Sequence, residues 1–443
     1  MSTPNTPRPD RDAELTRRRF VKGAAAAAAV PLILPGAASA MTARTNDPDV
    51  IKVGLIGCGG RGTGAAYQAI NAEQGTVRLV AMADVFEDRL DSSLKNLKKY
   101  LGEDRAHLAD VAPDRRHVGF GAAERLIASD VDVVLLATPP HFRPAHLRAA
   151  IEAGKHVFTE KPMAVDGPGV RSVLETAALA KEKQRSLVCG FCWRYNVRHQ
   201  ALYERVLNGD IGEIQAVYST YNATPLGTNP RKPGWSDTEW QMRNWQHMTW
   251  LSGDHLVEQA VHSLDKMGWV MGDVPPLSCT AVGGRQAREG IDTGNIYDHF
   301  SVTYDYANGA KGFHMSRQMA NCSNDNSDFI WGNKGTATVK GWSDTHVITG
   351  PNAWKYEGPG NDMYQQEHNE LFASIRSGKP INNGVWMTRS TMLAIMGRMA
   401  AYTGQTITWD QAMASTERLG PERYAFASMA LDPVAIPGRT KFA

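Results

Sequence analysis

Gly57, Gly59 and Gly62 stand in GxGxxG spacing, directly after the apolar run Ile51 to Ile56 and directly before an Ala-rich segment. Strand, glycine turn and helix in that order suit a dinucleotide pyrophosphate. The first glycine permits a tight turn, the second lets backbone approach phosphate oxygens, and the third lets helix pack on strand. Gly60 and Arg61 share the turn, where free N–H groups and the positive end of the helix face the anion. Asp84 lies 22 residues past Gly62. There an acid accepts hydrogen bonds from the ribose 2′-hydroxyl and repels a 2′-phosphate, which favours NAD over NADP.

A second chemically competent pair is Glu258 and His262. They fall in a segment read as one helix over 254–271, where residues four apart share a face. The imidazole titrates near neutrality and can accept a proton. His255 would lie on the same face and raises the question of a metal, but no HExxH and no fourth ligand accompany it, so metal is the weaker reading. Cys189 and Cys192 make a CxxC in a stretch that reads as strand running into loop. Their side chains would then point apart, whereas a redox pair belongs at a helix N-terminus, so packing is the favoured role.

The elements that must position these residues alternate. A second apolar strand, Val77 to Ala83, ends at Asp84, and Val131 to Thr138 reads as a strand buried on both faces. That run ends in Thr138, Pro139, Pro140 and His141, a turn at the carboxyl end of a strand, where ligands bind in parallel sheets. A helix over 145–153 and a strand over 156–159 lead to Glu160, Lys161 and Pro162. The alternation holds to about Gly190 and predicts an α/β fold that begins with a doubly wound parallel sheet. Beyond it, strand-like runs at 214–221, 296–306, 310–315 and 336–339 follow without a helix between each pair. A large, mostly antiparallel open sheet is expected there, with helices at 197–208, 254–271, 363–377 and 386–403.

At 443 residues, 42% apolar and 21% charged, the chain has room for two ordinary globular cores. Its net charge is +2, and residues 1–40 hold six Lys or Arg against three Asp or Glu. The remainder is near neutral, which argues against nucleic acid as a partner. Thr16 to Lys22 (TRRRFVK) matches a twin-arginine export pattern, an apolar stretch from Ala24 to Leu34 follows, and Ala38-Ser39-Ala40 offers a cleavage site. The apolar stretch, broken by Pro31 and Pro35, is short for a membrane span. The expected organisation is signal 1–40, linker 41–50, nucleotide domain 51–190, substrate domain 191–403, and a tail 404–443 packing on the body. A periplasmic or otherwise exported protein with no stable membrane span is expected.

Taken in order, GLIGCGGRGTG, Asp84, ATPPHF, AGKHVFTEKPMA, FCWRYNVRHQALYERVLNGDIGEIQAVYSTYN and GDHLVEQAVHSLDKMGW resemble the Gfo/Idh/MocA oxidoreductase family. That group contains glucose-fructose oxidoreductase and inositol dehydrogenase. The resemblance implies a Rossmann domain, a second α/β domain whose open sheet lines the substrate site, and homo-oligomerisation as a dimer or tetramer. It also implies hydride transfer between NAD and a carbinol carbon of a carbohydrate or cyclitol. By the same resemblance Lys161 stabilises a developing alkoxide and His262 accepts the hydroxyl proton. Glu258 stands where the family has Asp and would orient the ring or relay the proton. Thr138, Pro139, His141, Glu160 and Lys161 are expected against the cofactor, and Arg194 and Tyr195 near the nicotinamide end or the substrate. Trp235, Trp240, Trp245 and Trp250 recur at five-residue spacing; indoles there, with Arg243, are candidates to hold a sugar ring. An NAD-dependent glycosidase, using transient ring oxidation and elimination, is the alternative. Export implies a tightly held nucleotide, since free NAD is scarce outside the cytoplasm.

Overall fold

Six strands make the first sheet of the computed structural model, which describes residues 49–343 and 345–443. They are β1 (Val50–Ile56), β2 (Thr76–Asp84), β3 (Arg116–Val118), β4 (Val133–Leu136), β5 (His156–Thr159) and β6 (Leu187–Cys189). The order is β3-β2-β1-β4-β5-β6 and every pair is parallel. All four residues of β4 are buried, as a strand covered on both faces requires. The order reverses at β1, between β2 and β4, which opens a crevice at the strands' carboxyl ends. The signal read in residues 1–40 and the linker as far as residue 48 lie outside the described residues.

The second sheet has nine strands: β7 (Ile214–Ala223), β8 (Ser278–Gly284), β9 (His299–Asp305), β10 (Lys311–Gln318), β11 (Ser327–Gly332), β12 (Thr336–Lys340), β13 (Thr345–Thr349), β14 (Trp354–Lys355) and β15 (Ile407–Thr408). Their order is β14-β13-β12-β11-β7-β10-β9-β8-β15, and only β7 and β10 pair in parallel. The sheet is therefore largely antiparallel, as expected.

One expected helix is corrected. Residues 254–271 form two helices, His255–Glu258 and Val261–Val270, broken at Gln259 and Ala260. Asp254 enters the first of them with φ +82, a conformation that costs energy in a residue with a side chain. Its buried carboxylate accepts hydrogen bonds from the His255 N–H at 2.5 Å, the Tyr297 N–H at 2.8 Å and the Tyr402 hydroxyl.

The helix Val261–Val270 packs on β7 and on the helix Gly384–Thr403. Buried charges fix it in place. Lys266 lies 2.7 Å from Asp328 on β11 and donates to Asn326 at 2.8 Å, while the Tyr203 hydroxyl donates to the same Asp328 oxygen at 2.9 Å. Asp265, one residue earlier, receives Arg194 and Ser390. Removing the ammonium would strand the Asp328 carboxylate in the core. Lys266→Met should therefore cost about 3–5 kcal/mol in urea unfolding, whereas Lys52→Met, at the rim pair with Asp130, should cost under about 1 kcal/mol.

Candidate active site

The three glycines after β1 do three different things. Gly57 has φ +96, and a Cβ there would lie 2.6 Å from the Ala137 carbonyl carbon. A Cβ on Gly62 would sit 1.9 Å from the Gly57 carbonyl oxygen, so the helix Gly60–Ile70 meets the strand only because that side chain is missing. A Cβ on Gly59 would meet nothing within 4 Å, and the helix start carries no side-chain cap. Open space thus faces the helix's N–H groups, which suits a pyrophosphate.

A crevice opens beside this turn, with Gly57, Asp84, Phe120, Thr138, Pro139 and Phe142 among its walls. Asp84 accepts the Cys58 N–H at 2.6 Å and the Phe86 N–H at 2.9 Å, which fixes its carboxylate at the end of β2. Burial raises its pKa from the usual range. The cavity fits the adenosine half of a dinucleotide: glycine turn at one end, acid at the ribose position, apolar walls around a planar base.

Three residues expected at the cofactor are engaged elsewhere. Arg61 pairs with Glu160, donates to Gln68 at 2.8 Å and lies over the Tyr364 ring, so its guanidinium is held by protein. Glu160 is correspondingly buried beneath it, against Gly190. The His141 ring packs edge-on against Trp250, and its Nε2 lies 2.7 Å from the Tyr424 hydroxyl.

Lys161, two residues beyond the end of β5 at Thr159, reaches across to the second half of the fold. Its Nζ donates to the Glu258 carbonyl and lies 3.3 Å from Glu258 Oε1. His262 stands close by with its ring edge-on to Phe191, and its buried Nδ1 has no partner among the described residues. Burial, then the Lys161 cation, push the imidazole pKa well below its ordinary value, so the ring is neutral at pH 7. Glu258 and His262 both lie near Lys161, although the helix breaks between them. His255 does not join them: its two ring nitrogens face the Tyr297 carbonyl at 3.1 Å and the Ser316 hydroxyl at 3.2 Å.

Two residues beside this group carried no linear signal. Burial and the Glu258 charge raise the Tyr221 pKa, and its ring meets Trp342 edge-on at 6.0 Å. Trp342 is 52% exposed. Nothing in residue spacing connects 221, 258 and 342; Tyr221 lies on β7 and Trp342 just past β12, with β11 between the two strands.

The remaining expectations are relocated. Arg194 spends its guanidinium on Asp265 and Asp273 and stacks on Trp386 at 4.1 Å, and the Tyr195 hydroxyl donates to Asn383 at 2.9 Å. Both are committed to packing. Arg243 sits 3.9 Å over the Phe86 ring and pairs with Asp88 and Glu239, while Trp240 and Trp250 are core residues and Trp245 packs against that same cluster. The tryptophan segment is thus built onto the nucleotide side, where Met242 lines the cavity. Cys189 and Cys192 are buried free thiols whose pKa burial raises, consistent with packing.

Residues 51–191 match the profile of an oxidoreductase family with an NAD-binding Rossmann fold, GFO_IDH_MocA, and residues 199–338 match the GFO/IDH/MocA C-terminal domain. An inositol 2-dehydrogenase of Rhizobium meliloti (strain 1021) is 23% identical over 329 residues, covering 73% of this chain and 86% of that one. One of Agrobacterium fabrum is 30% identical over 224 residues, 50% of this chain and 55% of that one. Among solved structures, aldose-aldose oxidoreductase from Caulobacter crescentus, complexed with glycerol, superposes with TM-score 0.63 at 21% identity, covering 81% of this chain and 99% of its own. Levoglucosan dehydrogenase, in complex with NADH and levoglucosan, gives 0.62 at 20% identity over the same shares. At these identities the two superpositions speak for the fold.

The glycine geometry separates folding from binding. Gly62→Ala should destabilise the chain by about 1–3 kcal/mol in urea unfolding. Gly59→Ala should leave stability within about 0.5 kcal/mol yet weaken NAD binding measured by calorimetry, because its methyl group points into the open space.

Proposed function

The chain belongs to the Gfo/Idh/MocA family and is an NAD-dependent oxidoreductase acting on CH–OH groups; from that premise we propose that it oxidises or reduces a ring carbinol of a sugar, glycoside or cyclitol. The observation that carries this reading is the convergence of Lys161, Glu258 and a neutral His262, with Tyr221 and Trp342 alongside. NAD, when bound, supplies the hydride acceptor. His262 takes the hydroxyl proton on an imidazole whose lowered pKa leaves it free to accept one. The Lys161 cation stabilises the oxygen as charge develops, and Glu258 holds that ammonium in place. Tyr221 and Trp342 offer aromatic faces to the C–H side of a ring, as carbohydrate sites commonly do. Relatives named for inositol, levoglucosan and aldoses support the substrate class.

The proposal includes export: the TRRRFVK pattern and the small-residue site at 38–40 support a twin-arginine route to the periplasm, with NAD acquired before export and kept. A homo-oligomer is also proposed. On the open face of the second sheet, Phe313 stands opposite Tyr218, which stands opposite Phe329, with Met315 and Trp331 exposed nearby. A second copy of the chain would cover this apolar band.

NADH formation at 340 nm over a panel of free sugars, cyclitols and aryl glycosides tests the activity. Lys161→Met and His262→Gln should each lower turnover by about 10²–10⁴-fold while calorimetric NAD binding persists; full turnover by both would refute the assigned roles. Aglycone release without net NADH would favour the glycosidase alternative. Because the folded His262 pKa lies below its ordinary value, the rate should stay level as pH falls to about 6.5 and decline only under more acidic conditions. An inflection above that pH would remove His262 as the base.

A further inference from the structure

After the helix Trp409–Ala414 the chain continues to Ala443 without a further helix or strand, yet it is pinned at many points. The Leu419 N–H donates to Asp166 at 3.1 Å, and Thr238 donates through its N–H and hydroxyl to the Ala427 carbonyl at 3.2 and 3.0 Å. Farther on, the Met429 N–H donates to Asp237 at 3.0 Å and the Tyr297 hydroxyl to the Ala435 carbonyl at 2.9 Å. Between the first two anchors stand two rings that this pinning does not require, Tyr424 and Phe426, 42% and 46% exposed.

Those rings touch the three loops that wall the nucleotide cavity. Phe426 stacks on Phe86 at 5.8 Å and tilts onto Phe120 at 5.0 Å. Tyr424 stacks on Phe120 at 6.1 Å, tilts onto Phe142 at 5.2 Å, and bonds His141 through its hydroxyl. Phe86 follows β2, Phe120 follows β3, and His141 and Phe142 follow β4. The same loops carry Asp84, Gly119, Thr138 and Pro139 of the cavity wall. The loops after β2 and β3 are tied at their roots, where Asp84 pairs with Val118 and the Gly119 N–H donates to the Asp84 carbonyl at 3.1 Å, but the β4 loop lies beyond β1; the two rings bridge all three.

We propose that residues 419–427 form a strap across the adenosine end of the cofactor cleft, and that Tyr424 and Phe426 retain NAD between turnovers. This rests on the reading that the cavity receives the adenosine half of NAD. To leave, the nucleotide must spread the loops, and spreading them breaks the four ring contacts. Each aromatic pair is worth a factor of roughly two to ten, so loss of two rings compounds into a large change in release rate. The bodies of the rings hold the loops, and the Tyr424 hydroxyl adds the bond to His141.

The test loads the full chain with NADH and follows its fluorescence while excess NAD displaces it. In the Tyr424→Ala, Phe426→Ala double variant, release should be faster by about tenfold or more, and nucleotide that accompanies the parent protein through gel filtration should be lost. Tyr424→Phe keeps the stacking and should shift the rate only about two- to threefold. Both rings are nearly half exposed, so the fold should survive, which a melting curve checks. Independently, NAD should slow backbone hydrogen exchange over 419–427 in the parent. Equal release rates in the parent and double variant, or exchange unaltered by NAD, would overturn the strap. A parent chain that binds no NAD would instead overturn the cofactor reading beneath it.

Discussion

The contact on which the rest depends is the one between Lys161 and Glu258. It joins the carboxyl end of β5 in the parallel sheet to the end of a four-residue helix in the other half of the fold. Both side chains are mostly buried, 13% and 10% exposed. A pair so placed gives up much of its attraction to desolvation, so its value lies in position rather than stability. The ammonium is aimed at one point in the cleft, and burial, reinforced by the same cation, keeps the neighbouring His262 neutral. One electrostatic arrangement thereby sets two proposed roles: a positive charge for an alkoxide and a free base for its proton.

Holding that arrangement requires the helix Val261–Val270 to stay still, and the fold does this with buried charge. Lys266 is pinned to Asp328 and Asp265 to Arg194, both from His262's helix. Upstream, the strained Asp254 keeps its conformation because three donors converge on its carboxylate. Strain of this kind persists only where surroundings over-determine it, and it falls four residues before Glu258. The chain then breaks at Gln259 and Ala260, and Glu258 and His262 each approach Lys161 from separate helices.

This explains what the sequence disclosed and what it withheld. The parallel sheet was legible because β1, β2, β4 and β5 are short runs rich in Val, Leu, Ile and other apolar residues, bounded by turn residues. β3, β14 and β15 have only two or three residues each, too few for any period, and β8 and β11 mix Gly, Ser and Asp into their runs. Gly57, Asp84, Thr138 and Pro139 line one crevice because the glycine turn and the carboxyl ends of neighbouring strands meet there. Glu258 and His262 were read as sharing one helix, which the structure divides; each now lies near Lys161 from its own helix. Arg194, Tyr195 and Arg243 are engaged by protein partners that a linear motif does not show, since a charged or aromatic residue near a motif looks the same whether it faces a ligand or an ion-pair partner. Only the partners, Asp265, Asp273, Asn383 and Asp88, distinguish the two, and they lie far away in sequence.

The tryptophan segment and the tail show the same limit from the other direction. Neither carries a nucleotide motif, yet Met242 and Arg243 reach the cavity's side and Phe86, and Tyr424 and Phe426 lie across its loops. Both are additions outside the regular elements of the two sheets, and both gather at the adenosine end, away from Lys161. The glycine turn can bind a pyrophosphate but does nothing to slow its departure. Surface added around the adenosine leaves the reacting end open to substrate. A protein that must keep its nucleotide while exchanging substrate needs that division, and here it follows from where the extra chain packs.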